Sequence, residues 1–139
     1  MCLLCDREVV EELFAQMSKI GVMIENIINE CLGLPPNFLK EFNNDRSWDF
    51  MVALRYLPAS NDENVGITEH EDGNCVTFVL QDEVGGLEVL SNEEWVPVVP
   101  AEGTIVVNVG DVIQVILCSI TLKFLILCFF VRSLEDMNC

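Results

Sequence analysis

At 139 residues the chain has the length of one ordinary domain, with 51% apolar and 22% charged residues, which excludes a disordered polymer. Asp and Glu number 23 against 7 Lys and Arg, a formal charge of −16; a surface of that sign repels phosphate backbones and excludes nucleic acid as a partner. Seven cysteines, odd in number and irregular in spacing, follow no secretory leader, which predicts reduced, mostly buried thiols in a cytoplasmic protein. Cys2 and Cys5 form a C-x-x-C pair, but a structural zinc site needs a second pair, so this one reads as incidental.

In chain order, the first element is an amphipathic helix. Val10, Leu13, Met17, Ile20, Ile24, Ile27 and Cys31 recur every three or four residues, with Glu11, Glu12, Lys19 and Glu25 between them. That stripe predicts packing against something larger, and Gly33 followed by Pro35 and Pro36 marks the stop. A short helix is expected over residues 36–42, with proline in its first turn. Past Trp48 the period changes to two: Phe50, Val52, Leu54 and Tyr56 alternate with Met51, Ala53 and Arg55, which predicts a strand. After a polar loop over 57–65, strands are expected at 75–81, 87–90, 95–99 and 103–109. Gly85-Gly86 supplies a turn, and Pro97 puts the 95–99 strand at a sheet edge. Val112 onward predicts one more strand. Short strands separated by turn signals indicate an antiparallel sandwich or barrel.

His70 and Asp72 carry the sharpest chemical signal. Two positions apart on extended chain, their side chains leave the same face. An imidazole nitrogen and a carboxylate oxygen aimed at one point supply two of the three ligands in the facial triad of non-haem Fe(II) oxygenases. By spacing alone, H-x-D in the acidic stretch GITEHEDGN suits a solvated loop as well as a metal site.

The surrounding blocks discriminate between these readings. GITEHEDGNCVTFVLQDEVGGLEVL, followed by EEWVPVVPAEGTIVVNVGDVIQV, resembles the catalytic core of plant Fe(II)/2-oxoglutarate-dependent dioxygenases. That group includes isopenicillin N synthase-like enzymes, flavanone and gibberellin oxidases, and aminocyclopropane-carboxylate oxidase. H-x-D, Q-D-x-V-G-G-L, W-x-P-V-x-P and G-x-x-V-V-N-x-G-D follow one another in the family's order, and CLGLPPNFLKEF resembles the segment leading into that core. The resemblance implies an α+β fold: a partial double-stranded β-helix, or jelly roll, with a flanking N-terminal amphipathic helix. It divides the chain into a helical lead-in (1–47), a partial dioxygenase core (48–115) and a non-family apolar tail (116–139). It implies Fe(II) held by His70 and Asp72, 2-oxoglutarate as cosubstrate, ascorbate as reductant, and dioxygen with a small organic molecule as reactants. Tyr56 matches the position whose tyrosine helps hold the cosubstrate carboxylate, although Leu54 stands where the family has Asn. No catalytic residue is assigned beyond the metal ligands. Trp95, Val98 and Val106 are expected to supply core bulk, while Asn108 and Gly110-Asp111 are expected to form a turn without a chemical role.

Beyond Val115 the pattern departs. His70 is the only histidine, so the family's second metal histidine has no counterpart. Arg132-Ser133 is not the family's R-x-S, and the cosubstrate-binding role is not carried over to it. Residues 112–131 contain one charge, Lys123, and are long enough to span a bilayer. A truncated or altered gene product, a membrane-associated variant and a non-catalytic binding module on the same scaffold are the three explanations. Each predicts impaired turnover. Loss of closing strands is also expected to leave sheet edges unpaired.

Overall fold

Why the first helix ends where it does is visible in its last turn. In the computed structural model, which describes residues 7–44, 46–56, 65–91, 93–119 and 131–134, α1 runs Arg7–Cys31. Gly33 takes φ +63°, and the Leu34 N–H returns to the Asn29 carbonyl at 2.9 Å, closing the helix with the left-handed turn that glycine permits. Pro35 to Asn37 make a turn, the Phe38 N–H reaching the Pro35 carbonyl at 3.0 Å, so α2 begins two residues later than expected and spans Phe38–Asn43.

Two compact units divide the chain, Met1–Ala53 and Leu54–Cys139. In the first, the face of α1 that is buried differs from the apolar stripe. Gly21, Glu25 and Asn29, spaced by four, are the buried residues of α1, while Val10, Ile20 and Ile27 are exposed. The physical cause is a set of polar anchors between α1 and α2. Asn29 Oδ1 accepts the Leu39 N–H at 3.3 Å, seating the fully buried Leu39. Glu25 accepts Asn43 Nδ2 at 2.7 Å and Arg46 Nη1 at 3.2 and 3.3 Å. Burial works against the charge of Arg46, but its hydrogen bond to Asp49 and the carboxylates of Glu25 and Asp49 outweigh that and raise its pKa. A buried charge needs such partners, and these outrank an apolar stripe in choosing the contact face.

The strand expected over residues 50–56 is absent. That segment is irregular, and Phe50, Val52 and Leu54 are exposed. Period-two alternation describes a strand only where a neighbour takes its backbone hydrogen bonds, and no described strand pairs here. Residues 57–64 of the expected loop lie outside the described residues.

The second unit holds six short strands in two antiparallel sheets: β1 Val65–His70, β2 Val76–Val79, β3 Leu87–Ser91, β4 Glu94–Pro97, β5 Val106–Val109 and β6 Val131–Leu134. One sheet has the order β1-β6-β3-β4 and the other pairs β2 with β5. Gly85 and Gly86, at φ +85° and +95°, turn the chain into β3. Asp82 Oδ1 accepts the Val84 N–H at 3.0 Å within that turn. β4, with Pro97, lies at the sheet edge as expected. Contrary to the expectation of an unpaired edge, β6 fills the gap between β1 and β3. Unpaired strand edges are templates for such insertion.

The strand expected from Val112 is instead a helix, α3 Asp111–Ser119. Ile113 and Ile116 are buried, three positions apart, while Gln114 and Val115 between them are exposed. That burial has helical period, and Asp111 in the first turn complements the helix dipole. The buried apolar side chains of this unit are Cys75, Leu87, Ile113 and Ile116; Trp95, Val98 and Val106 are only half-buried. No helix among the described residues is long and apolar enough to cross a membrane, and residues 120–130 of the apolar 112–131 segment lie outside the described residues. Cys31 and Cys75 are free thiols, the first exposed and the second buried.

Candidate metal centre

Both H-x-D residues are brought together at the end of β1. His70 is the last residue of that strand, and the β1–β6 register shifts between Ile67 and His70. Such irregularities bend a strand and re-aim its side chains. His70 Nε2 lies 3.4 Å from Asp72 Oδ1, with side-chain exposures of 39% and 16%. The pair is therefore reachable from solvent but anchored on the carboxylate side.

Each partner is held by its other atom. His70 Nδ1 sits 2.9 Å from the Thr68 carbonyl, which can only accept, so Nδ1 carries a proton. In the neutral ring Nε2 is then a lone pair, and it faces an oxygen of a carboxylate. Two acceptors in that position repel unless a cation lies with them. A ring nitrogen bonded to a backbone carbonyl while the other stays open is the arrangement metal-binding histidines use. On the other side, Asp72 Oδ2 accepts Asn108 Nδ2 at 2.7 Å, leaving Oδ1 for the His70 side. Two donors bound at right angles to an octahedral ion lie about 3 Å apart, close to the observed spacing. Imidazole and carboxylate together suit Fe(II), so the pair fits half of such a site.

The other expected components are placed differently. Among the described residues no group of three or more His, Cys, Asp and Glu side chains is arranged to hold a metal ion. Tyr56 lies on irregular, exposed chain and not on a strand. Arg132 is on β6, paired in register with Glu88.

Asn108 is the residue that the sequence reading misassigned. It lies within β5, not in a turn, is 4% exposed and donates to the Asp72 carboxylate. Gly110-Asp111 opens α3, and the Asp111 N–H donates to the Asp72 carbonyl at 2.9 Å. A usable signal was present in V-V-N-V: an amide in an otherwise apolar strand must find a polar partner.

Known proteins share this arrangement of sequence and fold. The profile of the 2OG-Fe(II) oxygenase superfamily matches residues 48–124. The chain is 37% identical over 110 residues to 1-aminocyclopropane-1-carboxylate oxidase homolog 1 of Arabidopsis thaliana, covering 78% of this chain and 30% of that protein. A 1-aminocyclopropane-1-carboxylate oxidase homolog of Solanum lycopersicum is 37% identical over 101 residues, 72% of this chain and 28% of that protein. The chain thus spans about three tenths of the length of these relatives. A full-length 2OG oxygenase of Neurospora crassa, solved in complex with alpha-KG, superposes with a TM-score of 0.67 at 20% identity, covering 94% of this chain and 43% of that one. At that identity the likeness is one of fold.

Proposed function

The chain belongs to the 2OG-Fe(II) oxygenase superfamily, and on that premise we propose that it carries the His–Asp half of an Fe(II) site for oxidising a small organic substrate. The observation that supports this is the facing of His70 Nε2 and Asp72 Oδ1 at 3.4 Å, with the second atom of each side chain already engaged. Fe(II), when bound, supplies dioxygen activation coupled to decarboxylation of 2-oxoglutarate to succinate. The Thr68 carbonyl fixes the His70 tautomer so that Nε2 keeps its lone pair for the ion. Asp72 contributes one oxygen and one negative charge, and Asn108 keeps the carboxylate in that orientation. The Tyr56 hydroxyl is proposed to bind the cosubstrate carboxylate. The scaffold is a partial jelly roll, in keeping with its two antiparallel sheets. The relatives' names direct the substrate reading toward a small plant metabolite or hormone-like acid.

With one histidine in its sequence, this chain binds iron weakly and turns over little or not at all. Succinate release from purified protein with Fe(II), 2-oxoglutarate and ascorbate tests this, and robust turnover would show that the donor set is incomplete as drawn. A non-catalytic binding module on the same scaffold is the second reading, favoured by that histidine count; succinate release removes it too. The protein is proposed to be cytoplasmic, which alkaline extraction of membranes checks: protein retained in the pellet would instead favour anchoring through residues 112–131.

A further inference from the structure

We propose that residues 108–111 form a clamp committing Asp72 to one-oxygen donation toward His70, with Asn108 as the positioning residue. This rests on the metal-site reading above and concerns what holds that site in shape. The register Thr77↔Asn108 and Val76↔Val109 places the end of β5 beside the bend that follows Asp72. From there, the Asn108 amide donates to Asp72 Oδ2 at 2.7 Å while the Asp111 N–H donates to the Asp72 carbonyl at 2.9 Å. Side chain and backbone of one ligand are thus held by four consecutive residues.

Gly110 makes the approach possible. A Cβ there would lie 2.6 Å from the Asp72 carbonyl oxygen and 2.1 Å from that of Asn74, so no side chain fits between the clamp and the ligand segment. The Gly110 N–H closes the same strip on the Cys75 carbonyl at 3.1 Å.

The direction of the Asn108 amide follows from chemistry. Its Oδ1 is buried without a hydrogen-bond partner among the described residues, so the amide is not placed for its own full satisfaction. Exchanging its oxygen and nitrogen would set a carbonyl against the carboxylate, which is repulsive, so Nδ2 must face Asp72. A carboxylate with both oxygens free can rotate or chelate an ion with both. With Oδ2 occupied, Oδ1 alone is presented to His70 Nε2.

Mn(II) binding to the full chain, followed by electron paramagnetic resonance, tests the clamp with no reliance on turnover. Asn108→Leu removes the donor while filling comparable volume among the valines of β5, so its thermal midpoint without metal should hold while Mn(II) affinity falls about 10–100-fold. Asn108→Ser, which retains a hydroxyl donor, should recover part of that loss. A folded Asn108→Leu protein with wild-type affinity overturns the clamp. The control His70→Ala separates this from failure of the site itself: wild-type affinity in that variant means Mn(II) binds elsewhere, which overturns both. Affinity lost in His70→Ala but kept in Asn108→Leu overturns the clamp alone.

Discussion

Glu25 and Asp72 are both largely buried carboxylates, and both are bound by an asparagine at 2.7 Å, yet the two sites are finished differently. Around Glu25 both oxygens are occupied: Asn43 and Arg46 meet Oε1, and Arg46 also meets Oε2. A fixed guanidinium neutralises that charge, and the result is a closed structural joint between α1 and α2. Around Asp72 only Oδ2 is occupied, by a neutral amide, and Oδ1 faces an imidazole nitrogen. No described lysine or arginine side chain is paired with it. A carboxylate serving only the fold is closed on both oxygens by a resident cation. One serving a ligand keeps an oxygen open and leaves its charge for an arriving cation.

The most damaging way to break this comparison is Asp72→Ala. It removes one of two protein donors and the only negative charge in direct contact with His70 Nε2, so Mn(II) binding should fall below detection by the same resonance measurement. Binding retained at wild-type strength would mean that the open oxygen serves no ion. Next in size is Gly110→Ala. Its Cβ would meet backbone and not the end of a flexible side chain, so the surrounding segments must separate. Overpacking of that kind costs about 1–3 kcal/mol, and denaturant titration should read the upper part of that range. Metal affinity should fall with it, because the clamp and the Asp72 carbonyl move apart.

How far sequence could see the two sites also differs. His70 and Asp72 were legible because their chemistry is carried by residue type and by a two-residue spacing on extended chain. Gly33 and Pro97 were legible because backbone conformation restricts what can stand there. The buried face of α1 was not, because polar anchors supplied from residues 39–46 decided it, and no periodicity within α1 contains them. α3 was missed for a related reason: Val and Ile favour strands locally, but residues 111–119 bury Ile113 and Ile116 three positions apart. Asn108 was hidden by sequence distance, since its partner lies 36 residues earlier and only the β2–β5 register brings them together.

Glu25→Ala sharpens the comparison from the closed side. It removes three hydrogen bonds from a residue that is 2% exposed and leaves Arg46 with Asp49 as its remaining carboxylate. Because Arg46 keeps some access to solvent, the cost should be about 2 kcal/mol, below that of breaking a fully buried pair. The Arg46 pKa is raised above the ordinary 12.5, so its contribution is fully present below that value and is lost only as pH rises through the folded one. On the arginine side, the difference between wild type and variant should therefore stay flat through neutral pH. Mn(II) affinity of the folded variant should be unchanged, since Glu25 makes no contact with either donor.

The smallest effect should come from a carboxylate that is neither closed nor waiting for an ion. Glu11 accepts Arg7 one turn away on α1, with side-chain exposures of 59% and 89%. Both groups are solvated in the folded and unfolded chain alike, so their Coulomb attraction is screened and offset by the entropy of holding two long side chains together. Arg7→Ala should leave Mn(II) affinity untouched and shift stability by no more than a few tenths of a kcal/mol, less still in high salt. A salt-sensitive loss comparable with that of Glu25→Ala would break the ranking, because contact alone would then set the strength of these pairs. If the small value is found, exposure together with the number of engaged oxygens separates the three carboxylates, and the same criterion singles out Asp72 as the one left open.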